Sequence, residues 1–489
     1  MLLAQYTIRS KQDYIFRTNR IREIVGASIN ITNAWDILAE EAGKAKIRFQ
    51  KAGGDETFSL ENVVKQFESG ELCVVELFRG GGNDTLLFSD EKIYCQLNRL
   101  FSYRIARDCP GMVPMVVCVQ ASDNYKKDYA NLKREVDKKK NTVSSGRDNN
   151  LVPFAMVDRV TFQPYVDIDY IENTIERVTA EGQSKRLTFK KNVDTNSDTY
   201  VRYLDSLATK RDEESLLAVV HADGNNMGRK IQDLLGEASD YDYCVRQMRE
   251  FTRKTSDVFV NLGLKAMKKC KDDLSKTEDS SINKAFRLIV ADGDDMTFIC
   301  NARYAVKYTE AYVSAMPEEK GYSSCAGICI FHSHYPFARA YEIAEQCCDY
   351  AKTRIHGETL KEESWIDYHY IHSGITGDLN AIRVSHGTDK SIARPYRLGG
   401  SSADSDSFKC VEKVVDIIKE RHIARTSIKT IGSKWEISHA DGRKEYVKLC
   451  GHNVGLKEAL SEVVDDEERL MKIIYDIYEV YDLWFREED

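Results

Sequence analysis

The chain has no apolar run approaching the ~20 residues that a bilayer-spanning helix needs. Runs such as Leu216-Leu217-Ala218-Val219-Val220 have the length of a strand. The start, Met1-Leu2-Leu3-Ala4-Gln5-Tyr6, shows no charged segment ahead of a long apolar core, so no secretory signal is expected. Cys-x-x-Cys is missing as well. The 13 cysteines are scattered and odd in number. Neither Cys325/Cys329 nor Cys347-Cys348 has partners at zinc-site spacing. That pattern predicts buried, reduced thiols in a cytoplasmic protein. There is no excess of positive charge either: 70 Lys+Arg against 78 Asp+Glu give a net charge of −8. A protein that coats nucleic acid nonspecifically is usually basic. Membrane insertion and nonspecific nucleic-acid coating are therefore both disfavoured.

What is present is a globular composition, 42% hydrophobic and 30% charged. Its 489 residues correspond to about three domains at roughly 150 residues each. The strongest signal is an internal repeat. In the second copy, an apolar strand at 286–291 leads into the turn Asp292-Gly293-Asp294-Asp295 and a second strand at 296–300. A helix from about 302, a strand at 325–331 and a helix at 336–352 follow. In the first copy, a strand at 72–78 leads into the turn Arg79-Gly80-Gly81-Gly82-Asn83 and a strand at 85–88. A helix through 97–105, a strand at 113–119 and a charged helix at 125–140 complete it. Each copy is preceded by a strand and a helical stretch: 2–8 and 11–38 in the first, 216–222 and 227–269 in the second. Strand-helix-strand-strand-helix-strand is the ferredoxin-like order.

The fold class expected is therefore α+β, with two tandem ferredoxin-like domains and a C-terminal helical domain. The boundaries expected are 1–140 and 216–398 for the two domains. A polar linker region with helical elements occupies 141–215, and its stretch 141–150 reads as a flexible loop. The helical region is 399–489, entered through Gly399-Gly400-Ser401-Ser402-Ala403-Asp404-Ser405. An extra strand at 365–371 closes the second domain.

Two acidic turns of the second domain carry chemistry. Asp223-Gly224-Asn225-Asn226-Met227-Gly228 directly follows the strand at 216–222, and Asp292-Gly293-Asp294-Asp295 closes the hairpin. In a ferredoxin-like sheet both lie at the same end. Either turn alone is ordinary loop chemistry, since Asp and Gly are favoured there. Together they place Asp223, Asp294 and Asp295 near one another. Clustered carboxylates repel unless a cation neutralises them, and Mg²⁺ or Mn²⁺ suits hard oxygen donors combined with phosphates. Such a site suits nucleotidyl transfer with pyrophosphate leaving. Gly224 and Gly228 leave backbone accessible at the start of a helix, where N–H groups suit phosphate oxygens. Gly293 permits positive φ in the hairpin turn. Lys352, ending the helix at 336–352, is placed to reach a β- or γ-phosphate. The candidate nucleotide-binding residues of this domain are thus Gly224, Asn225, Asn226, Gly228, Gly293 and Lys352.

These turns, with Cys325-Ala326-Gly327-Ile328 and Ala351-Lys352, resemble the palm shared by GGDEF-type cyclases and the large polymerase-like subunit of type III CRISPR effector complexes. His334-Tyr335-Pro336-Phe337 and Arg394-Pro395-Tyr396 are similar to that subunit, as are Gln12-Asp13-Tyr14-Ile15-Phe16 and Gly80-Gly81-Gly82-Asn83 of the first domain. The resemblance is greatest to free-standing proteins that carry the second palm. It implies two nucleoside triphosphates held between paired palms and joined 3′→5′ or 2′→5′ into a cyclic di- or oligonucleotide signal in antiviral defence, with ATP favoured. By position it implies Asp223, Asp294 and Asp295 as metal ligands, joined by the Gly224 carbonyl. It also implies Gly81, Gly82 and Asn83 as the wall for the partner nucleotide. The first palm lacks acids equivalent to Asp294 and reads as a binding half.

Departures are specific. Asn225 stands where that palm has a second Asp, and a neutral amide ligates a metal more weakly. Asp292-Gly293 replaces Gly-Gly, and Cys325-Ala326-Gly327 replaces Ser-Ala-Gly beside Ser324. No His-Asp dipeptide occurs, so the HD nuclease of a full effector subunit is not expected. The alternative kept open by Asn225 is a catalytically silent nucleotide- or RNA-binding sensor or scaffold of a CRISPR-like complex. An RNA or protein activator is an expected partner of the enzyme, and the facing palms belong to one chain or to a homo-oligomer. Lys133-Arg134 and Lys138-Lys139-Lys140, near Tyr125 and Tyr129, form a basic run that suits RNA or simply a solvated helix face. Arg17, Arg20 and Arg22 suit either the inter-palm cleft or surface ion pairs.

Overall fold

The computed structural model describes residues 1–53, 58–142, 155–159, 161–171, 174–193, 207–208, 215–236, 240–277, 282–316, 321–355, 363–372, 377–385 and 387–485. Most of the stretch expected as a flexible loop, 141–150, lies outside them. Five strands form the first sheet: β1 (Leu2–Ile8), β2 (Phe49–Gln50), β3 (Val74–Gly80), β4 (Asn83–Phe88) and β5 (Pro114–Gln120), in the order β2-β3-β4-β1-β5. β1 pairs antiparallel with both β4 and β5, so Leu3 faces Leu87 on one side and Val119 on the other. Its sequence is nearly continuous in apolar residues because both faces are covered, and Leu3, Ala4 and Tyr6 are buried. The β3–β4 hairpin turns at Gly81-Gly82, both at positive φ (55° and 64°). Two left-handed residues in succession give the tight turn whose twist matches a hairpin, and glycine takes that conformation at little steric cost.

Within 141–215 the structure holds a helical element, as expected, and adds two strands. A two-stranded ribbon, β6 (Tyr165–Ile171) and β7 (Thr174–Thr179), stands where a linker with helical elements was expected. The period-two alternation of Tyr165-Val166-Asp167-Ile168-Asp169 carried that strand signal. The helix Ala180–Asn192 follows, with the Thr179 hydroxyl accepting from the Gly182 N–H at 3.1 Å.

The second sheet comprises β8 (Leu216–Gly224), β9 (Phe286–Asp292), β10 (Asp295–Asn301), β11 (Ser324–His332), β12 (Ser364–Tyr370) and β13 (Tyr396–Leu398). Its order is β13-β12-β11-β8-β10-β9. The core β11-β8-β10-β9 repeats the β5-β1-β4-β3 order of the first sheet, so the ferredoxin-like plan occurs twice. The short β13 was not expected. The helical stretch 11–38 is in fact two helices, Lys11–Phe16 and Ile21–Asn33, and the start of a third, Asp36–Lys44. The stretch 227–269 is likewise broken into Met227–Gly236, Tyr241–Thr255, a π-helical turn at Ser256–Leu262 and the start of Gly263–Thr277.

By contact the chain divides into two discontinuous units. One holds 1–202, 226–260 and 289–295; the other holds 203–225, 261–288 and 296–489. The helix Tyr241–Thr255 falls in the first unit because Tyr241, Cys244, Val245 and Met248 share a core with Leu77, Phe78 and Leu87. In the second unit, the helices Phe408–Glu420, Arg425–Ile437, His439–His452, Leu456–Ser461 and Glu467–Val480 confirm the helical reading of 399–489. A buried carboxylate fastens them to the sheet. Asp476 has no solvent exposure and accepts from the Ala393 and Arg394 backbone N–H groups (both 2.9 Å), the Tyr396 hydroxyl (2.6 Å) and the Arg394 guanidinium (2.8 Å). Among the described residues no helix is long and apolar enough to cross a membrane.

Candidate functional site

β8 is buried along its length until Asp223, whose side chain keeps 32% of its exposure. β11 lies antiparallel beside it and sets Cys325 opposite Asp223. The helix Phe337–Lys352 returns over β11 at very short range. A Cβ on Gly327 would stand 1.9 Å from the Ala344 carbonyl oxygen and 2.4 Å from the Cys348 nitrogen, both backbone atoms that cannot swing aside. That close approach delivers Lys352 at the helix end onto the Asp223 carboxylate, with which it forms an ion pair. Burial works to lower the Lys352 pKa, but the Asp223 charge outweighs it and the ammonium is held above its ordinary range. Overpacking of this kind typically costs about 1–3 kcal/mol. Gly327→Ala should therefore lower the unfolding midpoint measurably in a denaturant titration, whereas Gly228→Ala, beside which space is open, should not.

Asn225 is held through its amide nitrogen, while its Oδ1 is buried without a hydrogen-bond partner. Its amide nitrogen donates to Ser323 Oγ (2.8 Å) and to the Glu363 carbonyl (2.9 Å), and the residue is 1% exposed. The hydroxyl of Ser324 donates to the Asp223 carbonyl at 3.0 Å. Cys325 is buried, and burial raises its thiol to about 11. Asn226 takes positive φ (58°) immediately before the helix Met227–Gly236; Asn tolerates that conformation through its short polar side chain. One residue the sequence did not single out is His221. Its Nδ1 lies 3.2 Å from Thr297 Oγ1, and burial lowers its pKa, favouring the neutral ring. His221 is two residues before Asp223 and Thr297 two after Asp295, which sets the exit of β8 beside the entry of β10.

In the first unit, the acidic turn meets the glycine turn of β3–β4. Gly293 has φ 66°, and a Cβ there would stand 3.1 Å from the Gly81 Cα. A Cβ on Gly82 would stand 1.9 Å from Lys11 Nζ and 3.0 Å from Asp292 Oδ2. Lys11 Nζ donates to the Gly81 carbonyl at 2.7 Å, and the Asn83 amide donates to the same oxygen at 3.3 Å. Burial lowers the Lys11 pKa against the opposing pull of Asp292, Asp295 and Asp294. Burial raises that of Asp292 against Lys11 and Arg79. Thus Gly81, Gly82, Asn83 and Gly293 are brought together as two interlocked tips, and Lys11 is a participant that sequence reading missed. Among the described residues no three His, Cys, Asp or Glu side chains gather into a metal-holding cluster.

These are the two acidic turns at strand ends of a ferredoxin-like sheet, and they place the domain. Residues 216–359 match Cas10/Cmr2, second palm domain. This palm holds Asp223, Gly224, Asn225, Asn226, Gly228, Gly293, Asp294, Asp295 and Lys352. Over 98% of this chain and 69% of the other, the fold is similar to Csm1 of T. onnurineus, at 13% identity and a TM-score of 0.50. A Csm1–Csm4 cassette in complex with cA4 is similar at 10% identity over 98% of this chain and 69% of that one, TM-score 0.48. The same cassette in complex with AMPPNP is similar at 10% identity over 97% and 69%, TM-score 0.47. At such identities the likeness is one of fold. No curated protein matches the chain.

Other sequence candidates resolve without the palm. Arg17 pairs with Asp13 (2.6 Å) and Glu181 (2.8 Å), and Arg20 lies within 3.4 Å of Glu23. Lys138 pairs with Glu135, and Lys139 donates to the Val116 carbonyl. Tyr125 is buried edge-on against Tyr241, so its ring is not a stacking platform for RNA.

Proposed function

We propose that the chain is a metal-dependent nucleotidyltransferase that joins nucleoside triphosphates, with ATP favoured, into a cyclic di- or oligonucleotide. The observation that carries this is a second-palm match whose two acidic turns close β8 and the β9–β10 hairpin. The donor types suit a divalent ion, and binding would have to draw the carboxylates together, since among the described residues no three are gathered into a cluster. Asp223, Asp294 and Asp295 offer hard oxygen ligands, and each acidic turn already has an ammonium beside it, Lys352 at Asp223 and Lys11 at the hairpin. Asp223, Asp294 and Asp295, with the Gly224 carbonyl, would hold Mg²⁺ or Mn²⁺. Such an ion lowers the pKa of a ribose hydroxyl and stabilises charge on the phosphoryl group. The protein's own part is positioning. Lys352, released from Asp223, becomes a point charge for a β- or γ-phosphate. The N–H groups opening the helix Met227–Gly236 face phosphate oxygens. The Gly81–Gly82 turn, with Asn83 and the Lys11 ammonium against it, would wall the partner nucleotide.

A second reading has its own support. Asn225 is committed to Ser323 and Glu363, and no three-ligand cluster is preformed among the described residues. A palm of that kind binds nucleotide, as a sensor, without turnover. Pyrophosphate release, followed for each of the four ribonucleoside triphosphates with Mg²⁺ or Mn²⁺ beside calorimetric binding, separates the two. The proposal predicts release with at least one triphosphate. Metal-dependent binding with no release supports the sensor, and no binding removes the nucleotide site.

A further inference from the structure

β12 runs parallel to β11, and its far end, where Tyr370 pairs with Ile330, lies away from the Cys325–Asp223 pair. There a cavity of about 130 Å³ opens against the helical region. Its walls include His369 and Tyr370 of β12, Glu436 of the helix Arg425–Ile437, and Tyr475, Tyr478 and Glu479 around the helix Glu467–Val480. All belong to the second unit.

The buried charge around this cavity does not balance. Asp367 and Asp476 are wholly buried, and the Glu479 side chain keeps 6% of its exposure. The buried guanidiniums that pair with these three carboxylates are Arg383 and Arg394. Arg383 pairs with Asp367 at 2.9 Å and Arg394 with Asp476 at 2.8 Å, so Glu479 shares a cation that is already engaged. Glu436 adds a carboxylate at the cavity, and no Lys or Arg is among the lining residues. An uncompensated buried charge is costly. Tyr475 supplies an independent sign. It lines the cavity and is 2% exposed, and its hydroxyl hydrogen-bonds to no described residue. Burial, then Glu479 and Glu436, hold its phenol above the ordinary range, which sets the hydroxyl among the cavity's carboxylates. A buried polar group of this kind ordinarily has a partner.

The chemistry is not that of a metal centre, since among the described residues no three His, Cys, Asp or Glu side chains gather to hold an ion. The walls offer ring faces instead, with Tyr475 and Tyr478 centred 5.7 Å apart. Aromatic faces beside carboxylates attract an organic cation. An apolar cavity of about 150 Å³ admits benzene, so this one has room for a guanidinium or ammonium head.

We propose that this cavity binds a small organic cation, the guanidinium or ammonium head of a free amine, between Tyr475, Glu479 and Glu436. The site is separate from the two acidic turns, and its fate does not depend on theirs. A cation held there offsets the surplus carboxylate and ties β12 to two helices of the C-terminal region.

The test is calorimetric titration of the full chain, at fixed ionic strength, with n-butylguanidinium, n-butylammonium and n-butylurea. The urea is the neutral counterpart of the guanidinium. Expected is saturable binding of at least one cation with a Kd near or below about 1 mM, and n-butylurea at least about 10-fold weaker. Glu436→Gln alters an exposed side chain, and Tyr475→Phe keeps the ring, so both variants should fold. Each should weaken cation binding about 3- to 10-fold. No saturable binding of either cation up to about 10 mM overturns the proposal and places the compensating charge on a proton within the network. The urea binding as tightly as the cations overturns the charge argument. Wild-type affinity in both variants places any binding elsewhere and overturns the site.

Discussion

Asp294→Ala/Asp295→Ala should lower pyrophosphate release at least about 10³-fold while leaving the fold intact. On the proposed reading, two carboxylates that would hold the metal are removed at once. Loss of several kcal/mol of charge stabilisation at the phosphoryl group, at 1.36 kcal/mol per decade, gives that magnitude. Neither residue belongs to the apolar core, so far-UV circular dichroism and the unfolding midpoint should stay near those of wild type. Lys352→Met should act differently. Its ammonium would serve phosphate binding, so KM should rise more than kcat falls. The same change uncovers Asp223, so metal should bind at least as well. Equal loss in both variants, with KM unchanged, would show that Lys352 serves Asp223 rather than the triphosphate.

Asp476→Ala should be the most destabilising single change in the second unit, by about 3–5 kcal/mol. The carboxylate is wholly buried among two backbone N–H groups, a tyrosine hydroxyl and a guanidinium. Removing it strands Arg394, itself buried, with Glu479 as its remaining close acidic partner and Asp367 at 3.6 Å. Burial raises the Asp476 pKa, opposed first by Arg394. A raised carboxyl pKa means that the folded state holds the proton more tightly than the unfolded chain does. The contribution of Asp476 to stability is therefore largest below the ordinary carboxylate range and falls as pH rises from that range to the raised folded value. Asp476→Asn, which keeps the shape but weakens the pair with Arg394, should lose less than Asp476→Ala in urea unfolding. An alanine variant within about 1 kcal/mol of wild type would remove this network as the anchor of the helical region.

The elements legible in the sequence were those whose signals are local. Asp292-Gly293-Asp294-Asp295 and Gly80-Gly81-Gly82-Asn83 declared themselves by turn chemistry between apolar strands. Their repetition gave the tandem ferredoxin-like plan, which strand order bears out. Lys352 was legible because a helix of known phase ends there, and it does reach Asp223. Lys11 was not: its partner carbonyl is 70 residues away, and nothing in Ser10-Lys11-Gln12 marks a side chain that leaves its own helix. Asn225 was read as a weak metal ligand. Its amide instead ties the turn to Ser323 and Glu363, a role visible only once β11 and β12 lie alongside. Arg394-Pro395-Tyr396 was noticed as a resemblance without a physical role, and the Asp476 network supplies one. The β6–β7 ribbon was missed because polar composition was weighed above the alternation in Tyr165–Ile171.

The central claim is that this palm joins nucleotides. The measurement that meets it most directly is the mass of the products formed from ATP with Mn²⁺ by the full chain. The account predicts a species built of whole adenosine monophosphate units without a terminal triphosphate, accompanied by pyrophosphate and absent with Asp294→Ala/Asp295→Ala. ATP recovered unchanged, from protein shown to bind both ATP and Mn²⁺, would contradict it.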